Sequence, residues 1–324
     1  MILMLNKFNT TMKKIILMFA AVVMAAGVMS AQDINQATES YNNGAMELQM
    51  GNNEAAIENF LSALTMGEAL GDEGADLVAN CKKAIASATL SMAKDLYNAK
   101  DFEGAAAAFV KAKEVAEGYG ETEIAEEAAE LVNQANALKF NTEGKAAMKA
   151  KDFPTAIECF TKVLELDPTN GATAVQLGQA YMNAGQLDEA ITALETAKAN
   201  GQEKNAAKII SNVYLKKAQA SNKAKNYQEV IDFAAKSNEA LENGNAYKLT
   251  ASALQKLGKN DECIAAYEKY LEVTPNAKDK GGIICTIAVL YQQAGNKAKA
   301  KEYYEKIVDD AQYGATAKEQ LKTL

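Results

Sequence analysis

KDFPTAIECFTKVLELDP at residues 151–168 and GQLDEAITALETA at 185–197 are two versions of one phrase. Gly144 and Gly178 lie 34 residues apart, and so do Ala156 and Ala190. A fixed period of this kind describes an array of one small unit and outranks every local motif. The unit itself reads as two amphipathic helices joined by a tight turn of the Gly-Asn, Gly-Gln or Lys-Asp type.

In the clearest copy, starting at Gly171, the first helix supplies Leu177, Gly178 and Tyr181. The turn Ala184-Gly185-Gln186 follows, and the second helix supplies Ala190, Leu194 and Ala197. In this order the chain resembles the tetratricopeptide repeat family, whose unit carries a leucine–glycine step, a tyrosine, then an alanine, an aromatic residue and a proline. The same spacing predicts seven units, beginning near Ala37, Ala86, Ala137, Gly171, Ser211, Gly244 and Gly281. The small residue of the first helix is then Gly44, Ala93, Gly144, Gly178, Ala218, Ala251 and Ala288 in turn. In the second helix it is Ala56, Ala105, Ala156, Ala190, Val230, Cys263 and Ala300, followed four residues later by Phe60, Phe109, Phe160, Leu194, Ala234, Tyr267 and Tyr304. Two helices cross closely only where a side chain is small, and the larger residue one turn on fills the groove beside the crossing. Pro168 and Pro275 close the third and sixth units, because a ring without an N–H cannot continue a helix.

The resemblance covers about 37–314 and implies an all-α, right-handed α-solenoid of about seven units. The unit starts are separated by 49, 51, 34, 40, 33 and 37 residues, so the front of the chain is stretched. The excess falls in two long helices, about 75–99 and 121–150. Residues 32–136 are thus expected to hold two elongated units, 137–314 five more regular ones, and 315–324 a capping helix with the polar outer face that an array needs. The fifth unit matches least well, with Val230 and Ala234 in its two defining places.

Composition agrees and excludes. The chain has 324 residues, 48% hydrophobic, with three prolines, which is helix-forming composition. It contains no His, no Trp and no Arg, so it lacks the usual base near neutral pH, the widest stacking surface and the bidentate fork for phosphate. A formal charge of −8 argues against nucleic acid as a partner. Ser91-Met92-Ala93-Lys94 copies an acyl-enzyme signature, but it stands mid-helix and lacks the companion motifs that chemistry requires. Neighbouring carboxylates such as Glu126-Glu127 and Asp309-Asp310 point in different directions on a helix and read as solvated faces. No enzyme activity, cofactor, metal site or small-molecule substrate is expected.

The N-terminus reads as an address. Lys13 and Lys14 precede the apolar run Ile15–Ala26, and small residues follow at Ser30 and Ala31, the layout of a secretory signal peptide over 1–31 whose true start is Met12. The run is too short for a membrane span, which needs roughly 20 apolar residues. Export to the periplasm, or secretion, is expected, with a mature chain from about Gln32. Cys81, Cys159, Cys263 and Cys285 show no zinc spacing and fall within helical patterns; buried free thiols are the reading, with a Cys263–Cys285 bridge as the alternative.

The resemblance also implies that the inner faces of the first helices line a concave groove for a peptide or partner protein. The matching positions here are Lys145, Lys149, Gln179, Asn183, Gln219, Asn222, Lys223, Lys248, Gln255 and Lys256, with Gln292 and Gln293 beyond them. Amides and ammonium groups suit the backbone of an extended peptide, and the lysines favour an acidic one. The expected role is a cell-envelope scaffold or adaptor. The alternative is a structural subunit of an envelope complex that uses its edges or convex face.

Overall fold

The structure, a computed structural model, describes residues 31–324. The expected signal segment lies outside the described residues, apart from Ala31. Fifteen helices and one short 3₁₀ turn make up the described chain, and it contains no strand. In chain order they are α1 (Ala31–Gln49), α2 (Asn53–Ala69), α3 (Ala75–Asn98), α4 (Phe102–Tyr119), α5 (Thr122–Ala150) and α6 (Phe153–Leu166). Then follow α7 (Gly171–Ala184), α8 (Leu187–Ala199), α9 (Glu203–Lys223), α10 (Tyr227–Ala240), α11 (Gly244–Lys256), α12 (Asn260–Val273), α13 (Lys280–Gln293), α14 (Lys297–Glu305) and α15 (Gly314–Gln320). The two long helices stand where the stretched spacing put them, α3 at 24 residues and α5 at 29. The short final helix α15 contacts α14, and its Ala317 is buried.

The pairs α1–α2, α3–α4, α7–α8, α9–α10, α11–α12 and α13–α14 each pack together, and one turn device recurs after every odd-numbered helix from α1 to α13. The turn residue adopts a left-handed backbone, supplied by Gly51, Gly185, Gly258 and Gly295 in four turns and by Lys100, Lys151 and Lys225 in the other three. The next N–H then reaches back over the helix end: Asn52 to the Glu47 carbonyl, Asp101 to Leu96, Asp152 to Ala147, Gln186 to Tyr181, Asn226 to Ser221, Lys259 to Leu254 and Asn296 to Tyr291, all at 2.9–3.0 Å. Such bonds satisfy the orphan carbonyls of a helix C-terminus and turn the chain back on itself. Glycine makes that turn freely, whereas the three lysines hold φ 62° against Cβ crowding.

The chain divides into two compact units. The first comprises the residues up to Ala146 together with Thr161–Pro168; the second comprises Ala147–Phe160 together with Thr169–Leu324. In the first, α1 to α4 pack in succession, and the core is built from Ile57, Phe60, Leu61, Ile85, Leu96 and Phe109, with Ala128 and Ala135 of α5 joining it. In the second, each helix again packs on its sequence neighbour, which is the α-solenoid arrangement. Its C-terminal core gathers Cys263, Tyr267, Ile287, Ala288, Ala300 and Tyr304.

The residues predicted to make the crossings are all buried: the alanines, Val230 and Cys263 are fully enclosed, and so are the fillers Phe60, Phe109, Phe160, Leu194, Ala234 and Tyr304. At Gly178 the contact is tighter than the pattern implies. A Cβ there would stand 2.5 Å from Leu194 Cγ and 3.2 Å from the Ala190 carbonyl oxygen. Since Ala fills the equivalent place in four other units, the sequence predicts that Gly178→Ala is mild. The structure differs, because Leu194 Cγ and Cδ2 already stand where a methyl on residue 178 would go.

The fifth pair departs from the rule in a physically specific way. Ser211 and Ser237 are buried, with their hydroxyls 2.9 Å apart. Ser237 donates to the Ser211 carbonyl at 2.9 Å, and Ser211 donates to the Leu241 carbonyl at 3.1 Å. This small polar core satisfies the backbone where α10 ends in an extended Leu241. The four cysteines are free thiols, three of them buried and Cys285 half-buried, and Cys263 and Cys285 form no bridge. Burial, with the Glu68 carboxylate adding to it, pushes the Cys81 thiol up to about 12, and burial pushes Cys263 up to about 11.

Candidate functional site

A helix whose neighbours take one side of it must offer its remaining side to solvent. In the second compact unit, α9 touches both α7 and α11, so the first helices of three successive pairs lie side by side. On α9 the residues Ala206, Ser211, Val213, Ala218 and Ser221 face inward. The open stripe runs through Asn212, Lys216, Gln219 and Lys223, at the i, i+4, i+7, i+11 spacing of one helix face. Gln179 and Asn183 of α7, and Gln255 and Lys256 of α11, are likewise exposed.

The electrostatics of this wall are lopsided. Across α7, α9, α11 and α13 there is one carboxylate, Glu203, in the first turn of α9, against eight lysines. The partner helix α8 by itself carries Asp188, Glu189 and Glu195. Acidic groups have thus been segregated onto the second helices, in a chain whose overall balance is acidic.

The predicted residues divide by what they already do. Among the described residues, the side chains of Lys149, Gln179, Asn183, Gln219, Asn222, Lys223, Gln255 and Lys256 make no hydrogen bond or ion pair, so their donors and acceptors are open to a ligand. Lys248 is engaged: its ammonium bonds Asp279, which also accepts from the Tyr270 hydroxyl at 2.7 Å. These two contacts, Lys248 first, hold the Asp279 carboxyl below the usual range. Gln292 is engaged too, accepting from Tyr304 at 3.0 Å and donating to Gln320 at 3.1 Å. Lys145 is exposed but belongs to the first compact unit, whereas Lys149, Gln179 and Asn183 belong to the second. Asn212, Lys216 and Asn245 are exposed on the first helices beside the predicted set. Their helical spacing from Gln219 and Lys256 is the sequence signal that marks them. Among the described residues, no group of His, Cys, Asp and Glu is arranged to hold a metal ion, and no helix is long and apolar enough to cross a membrane.

Comparison with known proteins bears on the repeat. Tetratricopeptide repeat models match residues 147–213, 246–277 and 282–309. These stretches are similar to tetratricopeptide repeats. Over 97 residues the chain is 36% identical to an Hsp70-Hsp90 organizing protein of Triticum aestivum; the match takes in 29% of this chain and 17% of that protein's length. Among solved structures, a crystal structure of the MamA protein aligns over 56% of this chain and 94% of its own, at 23% identity and a TM-score of 0.38. YrrB, described as a tetratricopeptide protein with an unusual peptide-binding site, aligns over 56% of this chain and 92% of its own, at 20% identity and a TM-score of 0.34.

Proposed function

We propose that the chain is an exported, non-catalytic adaptor whose first-helix wall, in the second compact unit, binds an extended acidic peptide segment of a partner protein. The observation that carries this reading is the near absence of carboxylates on α7, α9, α11 and α13, while unengaged lysines and amides line the exposed stripe. Amide side chains meet the peptide backbone, and Lys149, Lys216, Lys223 and Lys256 meet its carboxylates. The basic and apolar N-terminal run supports export, with a mature protein beginning near Gln32.

The test uses the mature chain and a blocked, unstructured peptide rich in Asp and Glu, titrated at two salt concentrations. Replacing Lys216, Lys223 and Lys256 together by Ala should weaken binding at least about tenfold at low salt, with a smaller difference at high salt. Replacing the same number of lysines on second helices, Lys236, Lys297 and Lys301, is the control. Greater loss in the control than in the wall variant refutes the wall and favours a contact on the second-helix side. N-terminal sequencing of exported protein checks the address, and retention of residues 13–26 refutes it.

A further inference from the structure

A second cleft opens on the other side of α9. Helices α8 and α10 both pack on α9, flanking a trench of about 380 Å³ between them. Its floor is one stripe of α9: Glu203, Ala207, Ile210 and Tyr214, at the i, i+4, i+7, i+11 spacing of a single helix face. At ~100° per residue this stripe stands roughly 180° round the helix from the stripe of Gln219, so the two sites look in opposite directions. The walls are Glu195 and Lys198 of α8, and Lys236 and Glu239 of α10.

The charges in the trench are unequally satisfied. Lys198 is held by Glu195 at 3.1 Å. Lys236 lies 5.8 Å from the centre of the Tyr214 ring, which itself stacks on Phe233 at 6.4 Å. Both cations therefore have partners. Glu203 and Glu239 have none: among the described residues, neither makes a hydrogen bond or ion pair. For Glu203, the start of a helix is a favourable place in itself. Glu239 is different, because it sits in the last turn of α10, where the helix dipole disfavours an anion. The fold gains nothing visible from a carboxylate there. Residues that break a local rule without a structural return are expected at functional sites.

We propose that this trench is a second docking site, taking a partner segment in which an aliphatic side chain sits beside an arginine or lysine. The aliphatic group lies over Ala207 and Ile210, beside the Tyr214 ring, and the cationic head reaches Glu203 and Glu239. An extended cation also covers apolar floor with its own methylene stem.

The mature chain, labelled at isoleucine δ1 methyls and titrated with the blocked dipeptide acetyl-Leu-Arg-amide, tests this by NMR, with Ile210 assigned through Ile210→Val. A saturable shift at Ile210 is expected. Acetyl-Leu-Gln-amide should bind at least about fivefold more weakly, the loss of one charge-assisted contact. Glu239→Gln should reduce acetyl-Leu-Arg-amide binding to the level of acetyl-Leu-Gln-amide while leaving the thermal midpoint unchanged or raised. Equal affinity for the two dipeptides, an unmoved Ile210 methyl, or undiminished binding by Glu239→Gln overturns the proposal. Acidic-peptide binding at the first-helix wall involves none of these carboxylates and stands or falls separately.

Discussion

Gly178 is the sharpest point at which packing contradicts pattern. An alanine there gains roughly 1 kcal/mol of helix propensity over glycine. Against that gain, the new methyl arrives 2.5 Å from Leu194 Cγ and 2.8 Å from its Cδ2. Both Leu194 and its neighbour Ala193 are buried, so the leucine cannot swing into solvent. Overpacking of this kind costs about 1–3 kcal/mol, and sites with little room to relax fall at the upper end. Gly178→Ala should therefore destabilise by about 1–2 kcal/mol net, read from urea unfolding followed by far-UV circular dichroism. The second arm is Gly178→Ala combined with Leu194→Phe, which recreates the alanine–ring pair of Ala93–Phe109. If the branch at Cγ is the obstacle, the double variant recovers part of the loss, giving a favourable coupling of at least about 0.5 kcal/mol. A neutral or stabilising Gly178→Ala, or a double variant no better than the sum of the singles, refutes the reasoning.

Three further outcomes follow from the same structure. Lys100→Gly, Lys151→Gly and Lys225→Gly should each stabilise by about 0.5–1 kcal/mol, since they relieve a left-handed residue at the small expense of a freer unfolded chain; thermal melts of the singles and the triple check this. Ser211→Ala should cost about 1–3 kcal/mol by stranding the Leu241 carbonyl, since Ser237 keeps its bond to the residue-211 carbonyl, while Ser237→Ala with Ser211→Ala together should cost less than the two singles summed, because each single also removes the hydroxyl–hydroxyl contact; a double-mutant cycle reads this. Cys285 should be the first thiol alkylated near neutral pH, with Cys81 and Cys263 reacting only as the chain unfolds, because burial holds both thiols in the protonated form; mass spectrometry of a timed alkylation reads the order.

Much of this molecule is written in its spacing. Gly44, Ala93, Gly178 and their successors, each answered by a small residue and a larger one in the next helix, mark the pairing, because a close crossing needs small side chains on both sides. The turns are equally local, since a left-handed residue followed by a reaching N–H needs only neighbours in the chain. The long helices at 75–98 and 122–150 follow from apolar periodicity uninterrupted by Pro, with Gly144 as the single glycine in either. The candidate wall was half legible: helical spacing selects which residues share its stripe, but not which are already engaged. Asp279 comes to Lys248 from 31 positions away, and Gln320 comes to Gln292 from 28, and distances that long are set by how successive pairs stack. The trench lay further from view. Glu203, Tyr214 and Glu239 form no motif in the chain, and they meet because α8 and α10 flank one face of α9. Local periodicity decides what each helix can bury; only the stacking of whole helices decides what is left open between them.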